Sequence, residues 1–182
     1  MRSFIAAGGA TPEVLSLVEG LNGIKADMKT VKPENIHLTL KFLGELSEGK
    51  VDEIHRALTD CLSPFSSFEI SLRGVGVFPN VKRMRVIWVG FDKNKETLVE
   101  MNHSIEGALE GIGFRRDSRF HPHLTLARVK SPRGKEELIS FIETHREISF
   151  GESRIESVEL MKSTLTPKGP IYSTLRQVKL GD

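Results

Sequence analysis

One cysteine, one tryptophan and one tyrosine stand among 182 residues, and no apolar run is long. The single thiol, Cys61, cannot form an internal disulfide and excludes a metal site built on several cysteines. Leu58 and Leu62 flank it at helical spacing, so it reads as a small buried hydrophobe. Nothing approaches the ~18 consecutive apolar residues of a membrane-spanning helix. The opening run MRSFIAA ends at Gly8-Gly9, too short an apolar stretch for a secretory leader, so a cytoplasmic protein with no membrane association is expected. No Gly/Ser/Pro-rich linker or low-complexity segment divides the chain. An excess of one charge is also missing: 26 Lys and Arg against 24 Asp and Glu leave only +2. Net charge therefore supplies no general attraction to nucleic acid, although a local basic cleft stays open.

What the chain does have is a repeated tetrapeptide. His37-Leu38-Thr39-Leu40 and His123-Leu124-Thr125-Leu126 fall one in each half. Apolar and polar residues alternate in both, which is the period of a strand. Residues two apart on a strand share a face, so each copy sets an imidazole beside a hydroxyl and turns two leucines the other way.

The halves agree beyond the tetrapeptide. Ser3–Ala7 reads as a strand, followed by a helix beginning near Pro12 with Val14, Leu17, Val18 and Leu21 on one face. Arg85–Val89 is the matching strand, and its helix carries Leu98, Met101, Ile105, Leu109 and Ile112. Each tetrapeptide is then followed by a helix, opened by Gly49-Lys50 and by Gly134-Lys135. Strand patterns follow at 68–78, 155–165 and 172–180. The expectation is one α+β domain over residues 1–182, with an internal repeat dividing near 82/83 into two pseudo-symmetric lobes. Such symmetry would place the two His-x-Thr strands across a shared cleft, so that His37 and His123 face one ligand.

A lone histidine on a half-buried strand is ordinarily structural. Two copies with the same threonine at matching places in matching halves point instead to acid–base chemistry. The other histidines read differently. His55, His103 and His145 lie in helical stretches among charged residues and are expected to face solvent. His121-Pro122-His123 brings two imidazoles together, but a zinc site wants three or four ligands, and no acidic cluster or cysteine completes the set. Asn35 stands where a counterpart of His121 would be. Gly74-Val75-Gly76 and Gly134-Lys135 lack the remainder of any nucleotide-binding fingerprint and read as turns or bulges. Lys41, Arg128 and Lys130 come close behind the two motifs, as surface charges or as cleft cations. Strict alternation puts Arg128 on the face opposite His123, and only a strand end or a bulge would turn it inward.

These segments resemble the 2H phosphoesterases, and within them the RNA 2′,3′-cyclic phosphodiesterases, also called 2′-5′ RNA ligases. Residues 31–45, VKPENIHLTLKFLGE, are similar to the family's first motif with its flanks. Residues 120–129, FHPHLTLARV, are similar to the second. Gly76-Val77-Phe78-Pro79 and the run from Ser163 to Tyr172 resemble family segments that border the cleft. Ala7-Gly8-Gly9-Ala10 departs from the pattern, which usually has an aliphatic residue and an aspartate there.

The resemblance implies two antiparallel sheets around a cleft, no metal and no other cofactor. It implies a monomer acting on RNA ends or small cyclic-phosphate nucleotides, tRNA-derived ends among them. His37 and His123 are then the expected catalytic pair, with Thr39, Thr125 and Arg128 binding substrate. Opening a 2′,3′-cyclic phosphate needs a base on one side of phosphorus and an acid on the other, and two imidazoles that titrate near neutrality suffice. Two readings compete: a non-catalytic module that binds RNA ends, and a metal-dependent hydrolase using His121, His123 and His37.

Overall fold

The two apolar periods of the sequence become nine strands and four helices in a computed structural model that describes residues 1–182. The strands are β1 (Arg2–Ala7), β2 (Met28–Thr30), β3 (Leu38–Glu45), β4 (Phe68–Phe78), β5 (Val86–Phe91), β6 (His123–Val129), β7 (Ser149–Ile155), β8 (Ser157–Thr166) and β9 (Gly169–Lys179). The helices are α1 (Pro12–Asn22), α2 (Val51–Leu62), α3 (Lys95–Glu110) and α4 (Lys135–Thr144). Their starts are written locally. Thr11 caps α1, its hydroxyl accepting from Val14 N–H at 3.2 Å, and Pro12 occupies the first turn. Gly134, at φ 77°, supplies the left-handed residue before α4.

All pairing between these strands is antiparallel, in the order β7-β4-β5-β6-β3-β1-β8-β9, with β2 beside β6. The order divides at its centre into two four-stranded arrays, β3-β1-β8-β9 and β6-β5-β4-β7. They meet where Leu38 pairs with Leu124. This is the expected mixed fold of two pseudo-symmetric antiparallel lobes, with the arrays fused into one curled sheet.

The lobes do not follow the halves of the sequence, which corrects the division near residue 82. β4 comes from the first half but lies beside β5, while β8 and β9 come from the second half and extend β1. The helices cross as well. α2 and α3 pack together behind β3 and β9, whereas α1 packs on β7 and α4 on β4. Apart from β2, every strand and helix has a counterpart, but each half exports elements to the other lobe. A single cluster of 36 buried apolar residues runs through both, with Leu38, Leu124, Ile5 and Ile87 fully buried. Strands β2 and β7 had no clear signal, because one is three residues long and the other, SFGESRI, is largely polar. No helix is long and apolar enough to cross a membrane.

Candidate active site

The Leu38–Leu124 pair fixes the site. On an antiparallel ladder the flanking residues then oppose each other as His37 with Thr125 and Thr39 with His123, all on the face away from the leucines. His37 and His123 become diagonal neighbours, a relation that sets residues about 7–8 Å apart on a sheet, with their Cβ atoms somewhat closer.

Both rings are held in the same way. His37 Nδ1 lies 2.7 Å from the Asn35 carbonyl, and His123 Nδ1 lies 2.6 Å from the His121 carbonyl. A carbonyl can only accept, so each Nδ1 carries the proton and the Nε2 of each neutral ring is the basic nitrogen, turned from the backbone. Thr39 Oγ1 donates to His37 Nε2 at 3.0 Å. Burial lowers both imidazoles from their usual range, opposed by these backbone bonds. The Arg128 guanidinium lowers His123 further.

Matched bulges set the direction of the side chains just beyond each motif. In β6, Thr125 pairs with Trp88 and Ala127 with Ile87, leaving Leu126 as the extra residue. In β3, Thr39 pairs with Ala6 and Lys41 with Ile5, leaving Leu40 extra. Each bulge adds one residue and reverses the alternation beyond it. Leu126 and Ala127 are both buried, and Arg128 returns exposed to the face of His123. It acts electrostatically on both His123 and Tyr172. Leu40 and Lys41 are likewise both buried, and Phe42, the counterpart of Arg128, returns to the cleft 68 % exposed.

Lys41 is therefore not a cleft cation. Its ammonium donates to both Glu106 oxygens at 3.0 and 2.9 Å, to Asp117 Oδ2 at 3.1 Å and to the Arg115 carbonyl at 2.9 Å. It ties β3 to α3 and to the loop that leads into the second motif. Lys130 is exposed just past β6.

Aromatic side chains surround the histidines: Phe78 and Tyr172 come from the segments expected to border the cleft, whereas Phe4 and Trp88 had no sequence signal as site residues. Phe4 stacks on His37 at 5.0 Å and 20°, and Tyr172 meets His37 edge-on at 5.2 Å. Burial pushes the Tyr172 hydroxyl up, against the pull of Arg128 and Arg2. Around His123 stand Phe78 at 5.0 Å, His121 at 6.1 Å and Trp88 at 6.2 Å. No three His, Cys, Asp or Glu side chains gather as metal ligands; His121 joins this aromatic cluster instead. Gly76 lies directly against Trp88, where a Cβ would meet the indole at 2.4 Å. His103 is exposed on its helix as expected, but His55 and His145 are half-buried; the His145 ring packs on Phe141 at 4.2 Å and its Nδ1–H bonds the Phe141 carbonyl. Cys61 is half-buried, and burial pushes its thiol up to about 11.

Residues 23–166 match the family model of the 2′-5′ RNA ligase superfamily. The chain is 38 % identical to the RNA 2′,3′-cyclic phosphodiesterase of Methanothermobacter thermautotrophicus, covering 99 % of both chains. It is 42 % identical to the enzyme of the same name from Archaeoglobus fulgidus, over 90 % of this chain and 88 % of that one. In three dimensions it resembles a Thermus thermophilus protein over the full length of both chains, with a TM-score of 0.81 at 28 % identity. E. coli LigT, solved with 3′-AMP, shares the fold with a TM-score of 0.77 at 21 % identity, over 100 % of this chain and 98 % of that one.

Proposed function

The chain belongs to the 2′-5′ RNA ligase superfamily and is an RNA 2′,3′-cyclic phosphodiesterase, and we propose that His37 and His123 are its acid–base pair. The observation that carries this reading is the matched anchoring of the two rings. Each Nδ1–H is bonded to the carbonyl two residues back, which leaves two Nε2 atoms for chemistry on opposite sides of the register pair. One neutral imidazole takes the proton of the attacking water. The other, as imidazolium, gives a proton to the departing ribose 3′-oxygen, and a 2′-phosphomonoester is left. Each such group is worth roughly 10²–10⁴-fold in rate.

Thr39 and Thr125 stand beside the rings and donate to the non-bridging oxygens, where charge grows. Arg128 adds a fixed positive charge on the same face, which the bulge at Leu126 supports. The same machinery run with a 5′-hydroxyl in place of water makes a 2′-5′ linkage. The cyclic ester carries the energy, so no ATP is needed. The whole chain, residues 1–182, acts as one domain. It works as a cytoplasmic monomer on RNA ends, tRNA-derived ones included, without a metal or other cofactor.

The deciding experiment is turnover of an RNA with a defined 2′,3′-cyclic phosphate end in EDTA, with the product phosphate located. A 2′-phosphate formed at the rate seen without chelator is expected. Loss of activity in EDTA, restored by zinc or manganese, would overturn the two-histidine mechanism.

A further inference from the structure

We propose that Trp88, Phe78 and His121 form a subsite for the base of a second nucleoside, the one whose 5′-hydroxyl attacks the cyclic phosphate in 2′-5′ ligation. The proposal rests on the activity read above and adds residues that the chemistry there does not use.

The three rings touch one another as well as His123. Centroids lie 5.0 Å apart for Phe78 and Trp88, 4.9 Å for Trp88 and His121, and 5.3 Å for Phe78 and His121. His121 is exposed, and Phe78 and Trp88 are half-exposed, so the cluster presents ring surface to the cleft. Burial, with Lys95 and His123 nearby, lowers His121 from its usual range. Near pH 7 its ring is therefore neutral and stacks as an aromatic.

The pseudo-symmetry removes the bland explanation. The other lobe builds the same scaffold without these rings. Thr125 pairs with Trp88, but Thr39 pairs with Ala6. Gly76 pairs with Trp88 and leaves it room, but Glu159 pairs with Ala6. Phe78 has Met161 as its counterpart, and His121 has Asn35, a buried residue whose amide donates to the Pro170 carbonyl at 3.0 Å. The strand scaffold therefore requires an aromatic at none of the three positions, and the lobe that holds His37 packs it with Phe4 and Tyr172 from other positions instead. Trp88 also carries a structural penalty, since its Nε1–H is buried with no acceptor. A buried donor left unpaired beside a glycine cleared to fit the ring points to use of the ring itself.

The occupant is set by the two sides of the phosphate. His37 is packed between Phe4 and Tyr172, and its Nδ1 bond is half-buried, whereas the equivalent bond of His123 is exposed. The Trp88, Phe78 and His121 rings flank His123 and not His37, so a nucleoside seated on them brings its 5′-oxygen in beside His123. Water needs no aromatic surface; a nucleoside does. In the ligation step the 5′-oxygen forms a bond to phosphorus, its proton passes to His123, and the bond from phosphorus to the 3′-oxygen breaks as His37 protonates that oxygen. The co-reactant is a 5′-hydroxyl nucleic acid end, and its terminal base lies on the shelf.

The test compares Trp88→Leu, Trp88→Phe and His121→Ala with the parent chain in two reactions. One is hydrolysis of a 2′,3′-cyclic mononucleotide, and the other is ligation of the same donor to 5′-hydroxyl oligonucleotides. Deleting one base–aromatic stack costs about 5- to 150-fold in binding. The ratio of ligation to hydrolysis should therefore fall at least ~5-fold in Trp88→Leu through the acceptor KM, less in His121→Ala, and recover in Trp88→Phe. An acceptor with an abasic first residue should bind the parent weakly and lose little more in Trp88→Leu. Equal losses in both reactions, or an additive loss with the abasic acceptor, would make the cluster a support for His123 and overturn the proposal. Hydrolysis by the parent without any ligation would overturn it too and leave the phosphodiesterase reading intact. Absence of hydrolysis would instead remove that reading.

Discussion

Leu38 and Leu124 pair where the two half-sheets meet, and both are fully buried beneath the site. A strand's side chains change face at every residue, so this one apolar pair commits His37, Thr39, His123 and Thr125 to the opposite surface. The core thereby sets the geometry of the proposed chemistry.

The first prediction concerns the pH profile. Burial lowers both His37 and His123, so the pair loses its proton below the ordinary histidine value of 6.5. The base must be neutral and the acid charged, which makes kcat/KM bell-shaped, with its maximum below pH 6.5. A bound phosphate anion stabilises the imidazolium, so the kcat profile should lie to the alkaline side of the kcat/KM profile. His37→Ala and His123→Ala should each lose at least ~10²-fold in kcat/KM. Rates measured between pH 4.5 and 9 check this, and a kcat/KM that rises steadily to pH 9 would exclude a two-histidine pair.

The second concerns stability. Because the folded state holds His37 below 6.5, the unfolded chain binds more protons in the window between the lowered value and 6.5. Stability is then fully present above pH 6.5 and declines as pH falls through that window. Urea unfolding at pH 7.5 and 5.5 should show the decline in the parent chain, and His37→Gln should show a smaller one. An unchanged slope in the variant would mean that His37 contributes nothing to the linkage.

Much of the site was legible because the repeat is local. A period-2 strand with His and Thr on one face can be read from four residues, and finding it twice supplies the pairing that one copy lacks. The bulges were not legible. Leu40 and Leu126 look like ordinary alternating residues, and only the neighbouring strand reveals that each is extra. That hidden residue buries Lys41 and turns Arg128 to the cleft. The crossing of elements between lobes was invisible for a similar reason: nothing in β4 or β8 states which parent strand it will join. The aromatic ring around His123 comes from three separated segments, so no local pattern could announce it.

The third prediction follows from the buried ammonium. Lys41 and Glu106 have side chains only 2 % and 4 % exposed, and Asp117 N–H also donates to Glu106 at 3.1 Å. Removing one partner of a buried pair leaves an uncompensated charge and costs about 3–5 kcal/mol. Lys41→Met should lose roughly that amount in urea unfolding. The double variant Lys41→Met with Glu106→Leu should regain much of the loss. A Lys41 that bound phosphate instead would raise KM with little change in stability, and the two measurements separate these roles.

The last concerns Arg128, where charge and backbone geometry meet. Its guanidinium lies on the His123 face because the Leu126 bulge resets the strand, and it adds to the burial that lowers His123. A positive neighbour disfavours the imidazolium, so Arg128→Gln should raise the His123 value and leave His37 unmoved. It should also remove a charge-assisted contact to the phosphate. Such contacts bind ground and transition states alike, so the loss should appear chiefly in KM rather than in kcat. Proton NMR titration of the two imidazoles tracks the first effect, and steady-state kinetics at fixed salt track the second. If His123 stayed where it was while KM rose, Arg128 would act on substrate from a distance that leaves the histidine untouched. If neither moved, the guanidinium would be an ordinary surface charge, and the bulge would serve only to bury Ala127.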